Sequence, residues 1–247
     1  MSKQILALSG SIPHAFRSAG QTPVCMPSAE DIEDIVRRAA QLASRGTVLR
    51  RDFALRADGG KVVPSLTSSL VDHARSRGSP DALGPDVVID EDLSIGRCWS
   101  IPVTGQIGLS SPTLIHPTSI SVDHIPKELA ADIGRAPRRM ILWGLVDGLS
   151  NLQRFRSVPT DELKAIANGR TSPTLSKNHA FVPLASFEYD INADFHVQTF
   201  PVHEYVAQLA MDFGVFVVEI LDNWGSSDSC LYRVRIHGTP AVVNSPR

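Results

Sequence analysis

Eight short apolar runs, each ended by turn-forming residues, constrain this chain more than any other feature of its sequence. Each run is rich in β-branched or aromatic residues and is bounded by Gly, Pro, Asn, Asp or Ser, which is typical of β-strands. No long helix-period segment lies between them, which disfavours a βαβ sheet and favours antiparallel pairing. We therefore predict an all-β fold, an antiparallel, jelly-roll-like β-sandwich with a short N-terminal helix. The runs occupy residues 86–90, 98–103, 118–126, 139–146, 183–190, 195–202, 213–221 and 230–238.

Two of these runs also predict which strand faces are covered. In residues 213–221 apolar side chains occupy both parities, so both faces of this strand should be covered, in mid-sandwich or under a flap. From Leu231 the residues alternate, which predicts a half-buried strand with a charged outer face. The apolar face would carry Tyr232, Val234 and Ile236, and the outer face Arg233, Arg235 and His237.

The rest of the chain is divided by its composition. A stretch rich in Ser, Gly, Pro and Ala precedes an apolar stripe at helical spacing, for which Ser28 is the predicted N-cap. A polar stretch with a short helical pattern at 160–168 interrupts the strand-like runs. The predicted order is a disordered tail at 1–27, a helical stem at 28–46, the β domain at 52–241 with an insertion at about 150–180, and a tail at 242–247.

Composition and motifs argue against several classes of function. The 247-residue chain has a formal net charge of −2, which gives no support to nucleic-acid binding. No apolar run of about 18 residues is present, which predicts no transmembrane helix, and the first ten residues match a signal peptide poorly. No nucleophile elbow, phosphate-binding loop or zinc motif is present, so we predict that the protein is not an enzyme.

Three kinds of polar or reactive residue stand out, and the residues alone leave each open. Cys98 and Cys230 both precede alternating runs, so each is either a small buried apolar residue or half of a disulfide. His124 shares the parity of core side chains at a strand end, as either a hydrogen-bonded rim histidine or a polar anchor in a binding groove. The acidic group at 90–92 fits either a solvated turn or a cation loop.

Several ordered motifs resemble those of SUN domains, the Sad1/UNC-84 family. They are "DFALRADGG", "GRCWSI", "PTSISVDHIPKEL", "RAPRRMILWG", "FVVEILDNWG" and "CLYRVRIHG", and the resemblance covers residues 32–240 apart from the insertion. The short segment after "GGKVV" and the long insertion look most like a fungal member.

The resemblance implies a binding module rather than an enzyme. SUN domains are β-sandwiches that trimerise through a helical stem. They lie in the perinuclear space, anchored at the inner nuclear membrane, where they bind the C-terminal tail of KASH-domain proteins and link the nuclear envelope to the cytoskeleton in LINC complexes. For this chain the resemblance implies a KASH peptide as partner, a homotrimer if a longer coiled-coil stem is present, and no nucleic acid.

The resemblance also assigns site residues. Cys98 and Cys230 match the internal disulfide of the family, and His124 and Tyr232 match residues that hold the KASH tail and its carboxylate. Two positions depart from the pattern, because Arg135 stands where a pocket serine is expected and Asp228 where a second tyrosine is expected.

Two further features follow from the same resemblance. The hairpin lid that clamps the peptide falls on residues 62–70, which makes Val62, Val63, Leu66 and Leu70 predicted partner-binding residues. No organic cofactor is implied, but a K⁺ or Na⁺ ion would be held by backbone carbonyls of the cation loop, at Val87, Asp90, Asp92 and Arg97. The alternative function is a glycan-binding or other ligand-binding β-sandwich without KASH binding, since many sugar-binding modules share the fold.

Overall fold

The computed structural model describes Ser28, Ile32, Glu33, residues 50–69 and residues 83–241 of the chain. Ile32 and Glu33 are helical, and the Ile32 amide donates to the Ser28 carbonyl at 3.0 Å, so the predicted stem is helical where it is described. The two predicted tails, the rest of the stem and Leu70 lie outside the described residues. Within the described part, no helix is long and apolar enough to cross a membrane.

Antiparallel strands dominate the described part of the unit from Leu49 to Arg247. The strands are β1 (Lys61–Val62), β2 (Trp99–Pro102), β3 (Gly105–Asp123), β4 (Arg139–Leu145), β5 (Phe181–Glu188), β6 (Val197–Pro201), β7 (Phe213–Ile220), β8 (Asp228–Leu231) and β9 (Arg233–Pro240). Three short α-helices, α1 (Leu149–Ser157), α2 (Thr160–Ile166) and α3 (Glu204–Gln208), lie between β4 and β7.

The long strand β3 connects the two layers of the sandwich. Its first half pairs with β1 and β7, and β4 and β5 continue that layer in the order β1-β3-β7-β4-β5. Its second half pairs with β9 and β6. The pairing shifts register between Ser110 and Ile115 and again between Pro117 and Ser119. Because such irregularities bend a strand, one strand can serve both layers, and the predicted all-β sandwich is confirmed.

The main core fills the space between these layers. It buries alternate residues of every long strand, and its largest fully buried side chains include Trp99, Phe213 and Phe216. A second apolar cluster covers the outer face of β7 and β4, where Val217 and Trp143 meet Leu66, Ile141, Ala167 and Phe181. The prediction that the strand at 213–221 is covered on both faces is therefore confirmed.

The insertion is fastened to this outer face by a buried carboxylate. Glu219 is only 2% exposed, and its Oε2 accepts from Trp143 Nε1 at 3.0 Å. Its Oε1 accepts from Arg170 Nη2, from the Thr174 amide and from Thr174 Oγ1 at 2.5, 3.0 and 2.7 Å. The helix predicted at 160–168 is confirmed as α2, whereas α1 was not predicted.

Two local predictions were wrong. Residues 86–90 are not a strand, because Pro85–Ile89 form a 3-10 helix that begins at Pro85 and buries Val87, Val88 and Ile89. A short buried apolar run has the same pattern in a helix as in a strand, and proline at the first position favours the helix. The run from Leu231 is also broken, because β8 ends at Leu231 and β9 begins at Arg233.

The outer face of β9 is buried rather than solvent-facing, which corrects the predicted charged surface. Arg233 pairs with Asp52 at 3.1 Å, and both side chains are 8% exposed. Arg235 forks onto Asp123, which is fully buried. His237 donates from Nδ1 to the carbonyl of Arg51 at 2.8 Å. The chain around residue 52 covers this face, and the charges are tolerated because each is paired.

Candidate binding pocket

The strand register brings His124 and Tyr232 face to face. Asp123 pairs with Arg233 in the β3–β9 ladder, so the next residues along, His124 and Tyr232, stand opposite each other. Their ring centroids are 4.8 Å apart with an interplanar angle of 68°, an edge-to-face contact. The side chains are almost fully enclosed, since His124 is 4% and Tyr232 3% exposed.

A disulfide forms one wall beside this aromatic pair. Cys98 is bonded to Cys230, with 5.5 Å between their Cα atoms, which confirms the pairing implied by the resemblance. β8 carries Cys230 against β2, and at Tyr232 the chain leaves this small sheet to enter β9. Tyr232, the residue at this crossing, packs in one cluster with the disulfide and contacts His124.

These groups enclose a cavity of about 120 Å³. The predicted residues Cys98, His124, Arg135, Cys230 and Tyr232 all line it, so the fold brings together residues that lie up to 134 positions apart in the chain. The remaining lining residues are Ile95, Gly96, Ile125, Ala130, Ala131 and Asp132. A cavity of this size fits a small terminal group, and the apolar residues strengthen any polar contact made inside it.

Hydrogen bonds define what the pocket offers a ligand. Nδ1 of His124 lies 3.0 Å from the carbonyl oxygen of Ile125, whereas Nε2 is buried without a hydrogen-bond partner among the described residues. Burial is the main cause that lowers the pKa of His124, and nearby His196 and Arg135 act in the same direction. The hydroxyl of Tyr232 accepts from the Gly96 amide at 3.1 Å, so its own proton is available for donation.

Arg135 reaches the pocket but is already engaged. It belongs to the 3-10 helix Ile133–Arg135 and donates from Nε to Oδ2 of Asp228 at 3.1 Å, with a second contact from Nη2. Nη2 also donates to Ser100 Oγ at 2.9 Å. The two positions that depart from the SUN-domain pattern therefore compensate each other's charge.

A polar turn that the sequence analysis did not assign to the site positions Asp228. The side chain of Asn223 donates to the carbonyls of Ser226 and Asp228 at 3.0 and 2.9 Å and accepts from the Gly225 amide at 2.9 Å. Gly225 has φ +117°, which favours glycine. The signal was present in the sequence as "DNWG", because Asn and Gly together are typical of such turns.

The described part of the predicted lid, residues 62–69, is not a hairpin. In residues 61–69, β1 pairs with β3 and the 3-10 helix Pro64–Leu66 follows, so no hairpin projects from this stretch. Leu66 is 4% exposed and packs on the outer face of the sheet, and Val63 is half-buried beside it. Val62, Val63 and Leu66 do not line the pocket, and their role in binding a partner stays a prediction.

In the predicted cation loop, the acidic side chains are paired with arginines. Arg97 lies 3.1 Å from Asp90 and 3.2 Å from Asp92, and Arg56 lies 3.8 Å from Asp90. The side chain and then the amide of Ser94 donate to Asp92 and lower the pKa of its carboxyl. Among the described residues no cluster of His, Cys, Asp or Glu is arranged to hold a metal ion. A monovalent ion at this loop would depend on backbone carbonyls, and that site stays a prediction.

The fold is an antiparallel β-sandwich with a disulfide beside a small, mostly apolar cavity that His124 and Tyr232 line. The family model described as Sad1 / UNC-like C-terminal matches residues 166–240. SUN domain-containing protein 3 of Bos taurus is 23% identical over 222 residues, which cover 85% of this chain and 53% of that protein. SUN domain-containing protein 2 of Mus musculus is 26% identical over 225 residues, covering 86% of this chain and 26% of that protein.

The chain is therefore similar to SUN-domain proteins, at low identity, and it spans about half or less of the length of these relatives. Among solved structures, a family 32 carbohydrate-binding module from Streptococcus pneumoniae EndoD aligns with 76% of this chain and 99% of that chain. The sequence identity is 9% and the TM-score is 0.46.

Proposed function

We propose that this domain captures the C-terminal tail of a KASH-domain protein and reads its terminal carboxylate in the pocket between His124 and Tyr232. The observation that carries the proposal is this buried pair of ligand-facing polar groups, enclosed by a disulfide in a cavity of about 120 Å³. An extended tail outside the cavity would add main-chain contacts, as peptides commonly do at β-sandwich edges.

The proposed setting follows from the family. The domain lies in the perinuclear space and links the nuclear envelope to the cytoskeleton, and the protein acts as a binding module rather than an enzyme. The oxidising lumen of that compartment suits the Cys98–Cys230 disulfide. Trimerisation would require a longer helical stem, because a stem of about four turns is marginal by itself.

The test is binding of a synthetic KASH-type tail with a free C-terminus and of the same peptide with an amidated C-terminus. Tyr232→Phe removes one hydroxyl and should weaken binding of the free-acid peptide by about 1–3 kcal/mol, or roughly five- to hundredfold. Tyr205→Phe is the matched control, because Tyr205 lies in α3 and does not line the pocket. Amidation of the peptide should reduce its affinity for the wild type more than its affinity for the Tyr232→Phe variant, since the substitution and the amidation remove the same contact.

Equal binding of the two peptides by the wild type would show that the carboxylate is not read here. One feature favours the alternative of glycan binding in that case. A polar cleft of about 410 Å³ adjoins the pocket at Ile125, and Phe195 lines it with 71% of its surface exposed. An exposed aromatic ring beside hydrogen-bonding groups suits a sugar, so a glycan array with Phe195→Ala as control separates the two functions.

A further inference from the structure

His124 has one ring nitrogen whose state is set by its neighbour and one that has no partner. The Ile125 carbonyl can only accept, so Nδ1, at 3.0 Å, carries a proton and donates it. A neutral imidazole has a single N–H, which leaves Nε2 as a bare acceptor. Nε2 is buried and makes no hydrogen bond in the part of the chain that the structure describes, although the ring lines the pocket.

The surroundings of His124 disfavour the charged form of its imidazole. Burial lowers the pKa of the imidazole most, and His196 and Arg135 lower it further. The positive charge of Arg135 is offset by Asp228, so it supplies little net charge to a ligand. Of the other titratable groups, Tyr232 and Tyr189 lie against the ring, Asp132 lines the same pocket, and the neighbouring Asp123 is bound by Arg235.

A carboxylate has only acceptors, so it cannot form a hydrogen bond with an unprotonated Nε2. Placing two hydrogen-bond acceptors against each other in a buried site costs free energy, because each loses its hydrogen bonds to water and gains none in return. We propose that the pocket takes up a terminal carboxylate together with one proton, which comes to lie on Nε2 of His124. This inference rests on the proposed function and specifies how that same site is regulated.

The sign of the pH dependence follows from the two states. The free imidazole has a pKa below its ordinary value of 6.5, and a bound carboxylate raises that pKa because it favours the charged form. Between the free and the bound pKa, the dissociation constant should therefore rise about tenfold per pH unit as the pH increases. Below the free pKa the affinity should become independent of pH, because His124 is protonated in both states.

Calorimetric titration of the whole chain with the free-acid tail peptide tests this directly. Titrations at one pH in buffers of different ionisation enthalpy measure the number of protons taken up, and the expected value near pH 7.5 is about one. His124→Gln places an amide donor near the same position without a titrating group, so it should bind with no proton uptake and a flat pH profile. His179→Gln, at an exposed site, should behave like the wild type.

The outcomes separate this inference from the proposed function. Carboxylate-dependent binding with no proton uptake in the wild type would overturn the proton linkage and leave the proposed function standing. Binding that ignores amidation at both pH 6 and pH 8, or no binding at either pH, would overturn both. If His124→Gln does not fold, the amidated peptide supplies the second comparison, because its binding to the wild type should take up no proton.

Discussion

Arg135 and Asp228 form an ion pair at the rim of the pocket, and each stands where the SUN-domain pattern has an uncharged residue. The two side chains are 31% and 25% exposed, and Nε of the arginine lies 3.1 Å from the carboxylate. At the two positions where the resemblance predicts a serine and a tyrosine, this chain has two opposite charges that bind each other. The pair forms part of the rim, and its guanidinium could bind a ligand carboxylate if it were released from Asp228.

Releasing that arginine should strengthen carboxylate binding. In Asp228→Asn the guanidinium loses its charged partner, so it can turn toward a ligand carboxylate. Because the pair is partly exposed, we expect a gain of about 0.5–1 kcal/mol, roughly two- to fivefold in affinity for the free-acid tail. Glu188→Gln, which breaks the exposed pair with Arg138, is the control and should change nothing. A gain that is equal for the amidated peptide would contradict the prediction.

The disulfide should contribute strongly to stability. It closes a loop whose ends are 132 residues apart, and the chain-entropy argument gives about 4–5 kcal/mol for a loop of that length. The double substitution of Cys98 and Cys230 by Ser should lower the free energy of unfolding by that order in denaturant titrations. The third cysteine, Cys25, lies outside the described residues, and we expect it to be a free thiol, so Cys25→Ser should have no effect. Unchanged midpoints with and without reductant would show that the disulfide contributes little.

The buried pair of Asp52 and Arg233 should be costly to break. Asp52 also accepts from the amides of Ala54 and Ile236, at 2.9 and 3.2 Å, so its removal strands three donors. Asp52→Ala should cost about 3–5 kcal/mol in the free energy of unfolding. Asp58→Ala removes the partner of Arg51 in an exposed pair at 3.6 Å and should cost about 0–1 kcal/mol. Similar losses in the two variants would refute the assignment.

Hydrogen exchange can test whether Glu219 fastens the insertion to the sheet. Glu219→Gln keeps the shape of the side chain but removes the charge that Arg170 and Thr174 bind, at a cost of about 1.5–3 kcal/mol. Hydrogen exchange should rise in residues 160–176 before it rises in β3 or β7. Glu162→Gln, on the exposed side of α2, should leave exchange unchanged. Uniform acceleration across the domain would mean that the insertion does not open separately.

Much of the fold could be predicted from the chain alone because strand patterns are local. Period-two alternation, β-branched residues and turn residues indicate a β-sandwich, and the apolar run at 213–221 correctly indicated a strand covered on both faces. The prediction of a strand at 86–90 failed because a run of three buried apolar residues looks the same in a helix and in a strand. The proline at its start carried the information that the apolar run lacked.

The sequence predicted which residues form the candidate site but not which of them contact each other. The order of motifs assigned His124, Tyr232 and the two cysteines, and all four line one cavity. Nothing in the linear pattern indicated that Arg135 would bind Asp228, because that contact spans 93 positions and depends on where the turn at Asn223 places the carboxylate. The same limit applied to Leu66, which is predicted as a lid residue and packs into the second cluster.

The sequence by itself determined which residues are apolar, where the chain turns and which strands form, since these follow from local alternation and from residues with fixed backbone preferences. Only the tertiary structure decided which charges are buried. Arg233, Arg235 and His237 alternate as a solvent-facing row would, yet the chain around Asp52 folds over them and pairs with Arg233. The segment that covers a strand face is distant in sequence, and burying a charge is favourable only when a partner of opposite charge is buried beside it. Local alternation contains neither piece of information.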